Sequence, residues 1–517
     1  MLYSLQFMLL SSTIILSITG TSVFRKMVIT SKQFASILSK YFPKGVPPSM
    51  VALSGGVDSM CLAYLLSQHK RLYQPDLNLI AVTIDHGYRK ESGFEALKVQ
   101  DIMKAWGVRH SIHRLDYGDS VDPSKITNFE EVARDKRYEV FRDISQSSSN
   151  SDVPINNIFV AHHFNDQVET YLQRLKMNST LLGLRGLKPI NILPQAVETP
   201  LEQPLVVVRP LLSFDKSQLV STCKENNVPW FEDTTNSDHD VTTRNLIRHV
   251  INNVVPEKSK QDPSLEVLSK SNLEKTYKKI EEIDDAIIDR VRRLQNMDLL
   301  SINRKQATMK FVIPFDEFEN NSDLVLSRYL FSNIQPISAV VYYHWKYAKL
   351  ERGALPRIRK VFNELQHSSQ ISTKLKFTNL KLVFDIVMDG ITRQVVIRLH
   401  RSPWHAYEDN SLRGVEMNTW VLFDLRYWLK ISKESGTESV DPTYIEIEAY
   451  DKSKHKAVVH QHFDFFDWKN RKVYHDPIIF INTPGKETEV ILPTLGLSTN
   501  PSYKVDFQLK QNLCKII

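Results

Sequence analysis

The chain has 517 residues, 42% of them hydrophobic and 24% charged, so about two to four globular domains are expected and extended disorder, collagen-like and repeat architectures are excluded. Sixty-six Lys and Arg against 59 Asp and Glu leave a formal charge of +7, which permits a polyanionic partner without demanding one. Cys61, Cys223 and Cys514 are too few for a disulfide framework and offer no CxxC pair for zinc or an iron–sulfur cluster.

Residues 1–44 read as a leader. The first acidic residue is Asp58, and Arg25, Lys26, Lys32, Lys40 and Lys44 precede it without a carboxylate. An acid-free, Ser-rich, basic leader fits an organellar presequence, here mitochondrial. Translation from Met27 without a functional presequence would leave the protein cytoplasmic. No later segment has the length of a membrane span, so no stable membrane association is expected.

Residues 45–256 read as one α/β domain. Met50–Leu53, Leu79–Ile84, Val108–His113 and Asn157–Ala161 are apolar runs of strand length. Helical patterns over Asp58–Gln68, Phe94–Trp106, Glu130–Ile144 and Asp166–Leu175 alternate with them. That alternation predicts a Rossmann-like, doubly wound parallel sheet with helices on both faces. Ligands of such sheets sit at the carboxyl ends of the strands. Ser145–Asp152 reads as a polar loop. Residues 257–370 read as a helical domain, led by an amphipathic helix over Leu265–Asn296, and residues 371–517 as a β-rich C-terminal region with period-two runs such as Leu375–Phe384 and Val395–His400. The run Tyr342–Arg359 mixes aromatic and basic residues, and a packed helix is favoured over an RNA-stacking surface. His455, His460 and His462 read as surface residues rather than a metal site.

The polar clusters fall just after the strands. Ser54-Gly55-Gly56-Val57-Asp58-Ser59 joins a strand to a helix start. Paired glycines let backbone N–H groups turn toward an anion, and the helix N-terminus adds donors. GxxxxGK[ST] is absent, so this is not a Walker A loop. The plain structural alternative is a helix cap by Asp58 or Ser54. Asp85-His86-Gly87-Tyr88-Arg89 follows the second strand, Ala133-Arg134 through Arg137-Tyr138 opens the next helix, and Ala161-His162-His163-Phe164-Asn165-Asp166-Gln167-Val168-Glu169-Thr170 follows the fourth strand. Arg209-Pro210-Leu211-Leu212, the stretch Trp230–Ser237 and Arg244-Asn245-Leu246-Ile247-Arg248 come later.

SGGVDS resembles the PP-loop of ATP-dependent adenylating enzymes. Together and in this order, the six further clusters resemble the signatures of the tRNA(Ile)-lysidine synthetase family over about residues 45–256. The resemblance implies ATP and Mg²⁺ as cofactors and, as partners, free L-lysine and tRNA(Ile) with a CAU anticodon. In that family ATP adenylates the C2 oxygen of the wobble cytidine. The ε-amine of lysine then attacks C2 and displaces AMP.

Residues are carried over one by one. Ser54, Gly55, Gly56, Val57, Asp58, Ser59, Asp85, His86, Arg134 and Arg137 are expected around ATP, with Asp58 also a candidate Mg²⁺ ligand. Asp58, His162, His163, Asp166 and Glu169 are the catalytic candidates, because a carboxylate here would hold the lysine ammonium or accept its proton. Arg89, Arg174, Arg185, Arg209, Arg244, Asn245 and Arg248 are candidates for tRNA contact, the guanidinium fork suiting phosphate. Thr83 stands where the family often has His, and the Lys176–Ser179 loop departs from the usual pattern. Two alternatives remain: a 2-thiolation enzyme of the PP-loop class, for which the cysteines are too scattered, and a catalytically inactive tRNA-binding protein. Oligomeric state is open, a homodimer being one option.

Overall fold

The computed structural model describes residues 28–85, 92–117, 129–148, 154–193, 200, 203–232, 243–340, 344–368, 370–404, 409, 411–433, 444–463 and 475–512. The N-terminal body holds helices α1 (Ser31–Tyr41), α2 (Val57–Tyr73), α3 (Ser92–Ala105), α4 (Phe129–Ser148), α5 (Phe164–Lys176), α6 (Lys216–Glu225) and α7 (Thr243–His249). Its strands are β1 (Ser49–Ala52), β2 (Leu79–Asp85), β3 (Arg109–Arg114), β4 (Asn157–Phe159), β5 (Ile190–Ile192) and β6 (Val206–Val208).

They form one sheet in the order β3-β2-β1-β4-β6-β5, parallel except for β5, which runs antiparallel to β6. Each strand is short and apolar and must be covered on both faces. Alternation along β1 shows how. Val51 packs with α1, α2, α3 and α6, while Met50 packs with Phe141 of α4. Chain order reverses beside β1, whose neighbours are β2 and β4. A crevice opens at the carboxyl ends of strands on either side of such a switch point. The phosphate-type loop follows β1 and the double histidine follows β4, so the two lie side by side.

The leader boundary at residue 44 cuts through folded structure. Thr30 caps α1 with Gln33 in a reciprocal capping box. Phe34 and Leu38 are wholly buried in the domain core, each burial stabilising by roughly 1.5–3 kcal/mol. Ile29 N–H also donates to Thr222 Oγ1 of α6 at 2.9 Å. Residues 28–44 therefore belong to the catalytic body. Helix α4 likewise continues through Ser148 instead of giving way to a loop at Ser145, because Ser145 Oγ donates to Asn156 Oδ1 at 2.6 Å and is buried.

The rest of the chain begins with α8 (Lys270–Gln295), capped by Ser269. Leu265 and Leu268 lie in the preceding 3₁₀ turn, Pro263–Leu268, rather than on the helix. Strands β7 (Leu300–Asn303) and β8 (Thr308–Pro314) fall inside the span read as helical. They join β9 (Ser372–Asn379), β10 (Leu382–Asp389) and β11 (Gln394–Arg401) in a sheet ordered β7-β8-β11-β10-β9. The division at residue 370 is thus crossed by one sheet, and helices α9 (Asp323–Ile334) and α10 (Leu355–Gln366) pack on it. The run Leu375–Phe384 is two strands, not one. Leu380 and Lys381 turn it back with φ near +52° and +56°, the backbone of a tight hairpin.

The C-terminal part adds β12 (Ser411–Arg413), β13 (Trp420–Phe423), β14 (Tyr427–Lys433), β15 (Tyr444–Ala449), α11 (Lys452–His462), β16 (Pro477–Asn482), β17 (Glu489–Leu492), β18 (Leu497–Ser498) and β19 (Tyr503–Leu509). They make a five-stranded and a three-stranded antiparallel sheet. The run Tyr342–Arg359 packs inward through part of its described residues, Tyr347 buried against Ser327 and Arg359 held by Asp323 and two carbonyls, while Lys349, Arg352 and Arg357 are exposed. His455 is buried too, bonded to Glu448 at 2.9 Å, and is not a surface residue. Among the described residues no helix is long and apolar enough to cross a membrane.

Candidate active site

Gly55 has φ +84°, a conformation side chains resist, and it turns the chain between β1 and α2. Phe231 N–H donates to the Gly55 carbonyl at 3.0 Å, so the start of the Trp230–Ser237 segment backs the loop. Gly56 is the N-cap of α2 and offers no side chain to the helix. The simple capping alternative therefore fails: neither Ser54 nor Asp58 caps the helix, and its first N–H groups are left for an anion. Ser59 is buried and accepts from Ser54 N–H at 3.2 Å, which draws the loop into a closed cradle.

Asp58, in the first turn of α2, faces an imidazole and an ammonium. His163 Nε2 lies 3.5 Å and Lys216 Nζ 3.2 Å from its Oδ2. Burial pushes this carboxyl up, but His163 and then Lys216 outweigh it and hold it below the usual carboxylate range. Oδ1 of Asp58 is buried without a hydrogen-bond partner. This oxygen thus lacks a partner among the described residues, and a cation with phosphates and water completing its shell would satisfy it, so Asp58 fits the Mg²⁺ assignment. Among the described residues no group of three or more metal-type side chains gathers.

The double histidine divides its work. His163 is buried at the N-terminus of α5, and its backbone N–H donates to Asp166 Oδ2 at 2.9 Å. Its Nδ1 sits 3.5 Å from the same carboxylate, so His163 lies between Asp58 and Asp166. His162 accepts from Arg209 Nε at 3.1 Å through Nδ1. Asp166 and Glu169 share one face of α5, as their spacing predicts. Both face Arg248, whose Nε is 2.5 Å from Glu169 and whose Nη2 is 3.6 Å from Asp166. Arg248 is therefore a partner of the acidic pair, where the sequence suggests tRNA contact.

Arg134, Arg174 and Arg209 form a second electrostatic feature. Burial, reinforced by Arg134, holds Arg174 below its ordinary value. The same two causes push Arg209 down to about 10. Among the described residues none of the three has a carboxylate within ion-pair distance, and Arg209 is only 4% exposed. Arg209 is held instead by His162 and the Lys188 carbonyl. Guanidinium groups gathered this way and left uncompensated suit phosphate.

The remaining candidates fall in different places. Asp85 ends β2 and accepts from Ser92 Oγ at 2.7 Å. Asn245 is buried on α7, whereas Arg137 is exposed on α4. Arg185 is tied to Glu281, Asp284 and Asp285 of α8. His86 and Arg89 lie outside the described residues, as does the Arg244 side chain. At the Thr83 departure, the hydroxyl donates to the Leu53 carbonyl at 2.8 Å and meets His110 Nε2 at 2.8 Å. An imidazole reaches this spot from β3 instead of β2.

Sequence reasoning missed Lys216. The chain after β6 docks on α5, with Phe164 N–H donating to Phe214 O at 2.8 Å and Lys216 N–H to Asn165 Oδ1 at 3.3 Å. That docking delivers the amine to Asp58. The signal was present: Asp215 and Gln218 form a capping box, which marks a helix start at the carboxyl end of a strand.

Fold, loop and crevice define a PP-loop protein, an α/β body that presents an anion cradle at its topological switch point. A PP-loop domain family matches residues 28–255. A Schizosaccharomyces pombe protein named "Probable tRNA(Ile)-lysidine synthase" is 25% identical over 74% of this chain and 77% of its own length. The tRNA(Ile)-lysidine synthase of Thermosipho africanus is 33% identical over 39% of this chain, and that of Vibrio campbellii 27% over 57%. The chain spans 42% and 60% of those two bacterial proteins. Residues 28–255 thus carry a PP-loop domain, and the chain is similar to the tRNA(Ile)-lysidine synthases.

Proposed function

We propose that the chain joins lysine to the wobble cytidine of a CAU-anticodon tRNA(Ile) at the expense of ATP. The carrying observation is the juxtaposition, in one crevice, of an uncapped loop–helix anion cradle with the His163–Asp166–Glu169 acid–base array. In the first step the cytidine C2 oxygen attacks the α-phosphate and pyrophosphate leaves. The Ser54–Ser59 cradle holds the leaving phosphates. Arg134, Arg174 and Arg209 supply positive charge to the transferred group or to the RNA backbone, where positioning and electrostatics carry most of the catalysis. A divalent cation bound to the nucleotide would neutralise phosphate charge there, with the open oxygen of Asp58 as its protein ligand.

In the second step the lysine ε-amine attacks C2, loses a proton, and AMP departs with the oxygen. The amine must be neutral to attack. Asp166 orients the ammonium and accepts its proton, His163 adjoins it as a relay, and Glu169 with Arg248 fixes the array. Lys216 holds Asp58 until phosphate arrives.

The thiolation alternative gains no support. Cys61 and Cys223, far apart in sequence, do come together, but both are fully buried. Their mutual hydrogen bond and burial push the Cys61 thiol far above its ordinary range, which leaves it inert as a sulfur carrier. The test is incubation with a CAU-anticodon transcript, ATP, Mg²⁺ and labelled lysine. Lysine is expected in the RNA, and a GAU transcript is expected to take up none. Sulfur incorporation without lysine would overturn the proposal. Mitochondrial residence is part of the same reading, supported by the acid-free residues 1–27. Uptake of the tagged chain by isolated mitochondria tests it.

A further inference from the structure

Arg185 and Tyr277 do not touch the crevice, yet both are tied to the helix that carries its carboxylates. Gln167, between Asp166 and Glu169 on α5, points away from them and is 3% exposed. Its amide donates to Leu187 O at 2.6 Å and to Tyr277 Oη at 2.8 Å, and accepts from Leu187 N–H at 2.7 Å. Gly186 permits this contact. Its φ is +71°, and a Cβ there would stand 2.6 Å from Gln167 Oε1.

Tyr277 comes from α8 and is 2% exposed. Its hydroxyl donates to Arg185 O at 2.9 Å and accepts from Gln167 and from Arg185 Nη1, the latter at 2.8 Å. Every hydrogen-bonding position of the phenol is used. Burial raises its pKa well above that of free tyrosine, so the donor proton stays in place. Arg185 then continues to Glu281, Asp284 and Asp285. Asp284, itself buried, also receives Arg328 of α9 at 3.2 Å.

The apolar packing follows the same course. Val168 and Tyr171 of α5 pack with Leu273, Tyr277 and Ile280 of α8. Farther along α8, Val291 and Leu294 belong to the C-terminal core. One helix thus seats the catalytic helix at its first half and the C-terminal body at its second.

We propose that Arg185 and Tyr277 are positioning residues: through Gln167 they fix the rotation of α5, and so the aim of Asp166 and Glu169, against the helix that anchors the C-terminal body. This replaces the sequence expectation that Arg185 grips tRNA, since its guanidinium is committed to three carboxylates. The inference rests on the lysidine-forming reading of the site. A small rotation of α5 would misplace carboxylates whose value lies in their position.

The test compares wild type with Tyr277→Phe and Arg185→Lys, all full-length. Three quantities are read: affinity for the CAU transcript, kcat, and KM for lysine and for ATP. Both variants are expected to bind RNA within about twofold of wild type and to lose about tenfold to a hundredfold in kcat, with KM raised for lysine but not for ATP. Tyr277→Phe keeps the ring and its packing, so misfolding does not mask the result. Hydrogen exchange along α5 is followed in the free protein and should quicken in both variants. The proposal is overturned if kcat holds in both, if Arg185→Lys loses RNA affinity in proportion to turnover, or if α5 exchange is unchanged. If wild type itself incorporates no lysine, the lysidine reading fails separately, and the exchange experiment still decides the role of the two residues.

Discussion

The crevice and the C-terminal body both concentrate charge but use it in opposite ways. Around Asp58 the contacts are long, 3.2 Å to Lys216 and 3.5 Å to His163, and Lys216 is about half exposed. In the C-terminal body Arg401 and Arg426 converge on Asp424 at 3.0 and 2.5 Å, with all three side chains at most 2% exposed. Arg426 also donates to the His475 carbonyl, and Asp476 accepts from Thr494 Oγ1. Buried charges satisfied by one another are architecture. Charges held loosely at a strand end, with one carboxylate oxygen unpartnered, are poised for a ligand that brings its own charge.

Mutations should separate the two regions. Asp166→Ala is expected to cost about 10²- to 10⁴-fold in kcat while RNA binding survives, as removal of a proton acceptor should. Parallel binding and lysine-incorporation assays check this, and normal turnover would remove Asp166 from its role. Arg426→Met leaves Asp424 with Arg401 as its one remaining arginine and removes the cation that opposes burial at Asp476. A loss of about 3–5 kcal/mol is expected from denaturant unfolding of the full chain. Lys216→Ala should do the reverse: a stability change below about 1 kcal/mol, because the pair is exposed, with a rise of about tenfold in KM for ATP.

The smallest expected effect is a pH slope. Burial raises Asp476 to about 7, only partly opposed by Arg426 and its hydrogen bonds. Between roughly pH 4 and 7 the folded chain keeps a proton there that the unfolded chain has released. Stability from this group therefore falls as pH rises through that window. Asp58 has the opposite sign: its lowered value contributes stability above the unfolded carboxylate range, lost as pH falls through the folded value. Asp476→Asn should flatten the decline between roughly pH 4 and 7, measured as unfolding midpoints against pH. An unaltered slope would assign it to another group.

Legibility followed the same division. In the α/β body, glycines, strand-end polar residues and helix spacing are local, and they placed the loop, the double histidine and the acidic pair before any fold was seen. Lys216 escaped because its role depends on β6 lying next to β4, which no local pattern encodes. The pairing of Arg185 and Arg248, read from the sequence as candidates for tRNA contact, depends on carboxylates 96 and 79 residues away, which no local pattern shows. In the C-terminal body β8 reaches β11 across about 80 residues and carries its neighbour β7 with it, so a boundary drawn where the pattern turns to period two cut the sheet in two. Helix α1 was hidden by its basic composition, since burial of Phe34 and Leu38 needs a core that only the rest of the domain provides.

The most direct test follows the α-phosphate of ATP. With [α-³²P]ATP, Mg²⁺ and CAU transcript but no lysine, label is expected to travel with the RNA. Addition of lysine should discharge it as AMP in step with lysine uptake. Label that never joins the RNA, or AMP released without lysine transfer, would contradict the adenylated-cytidine route.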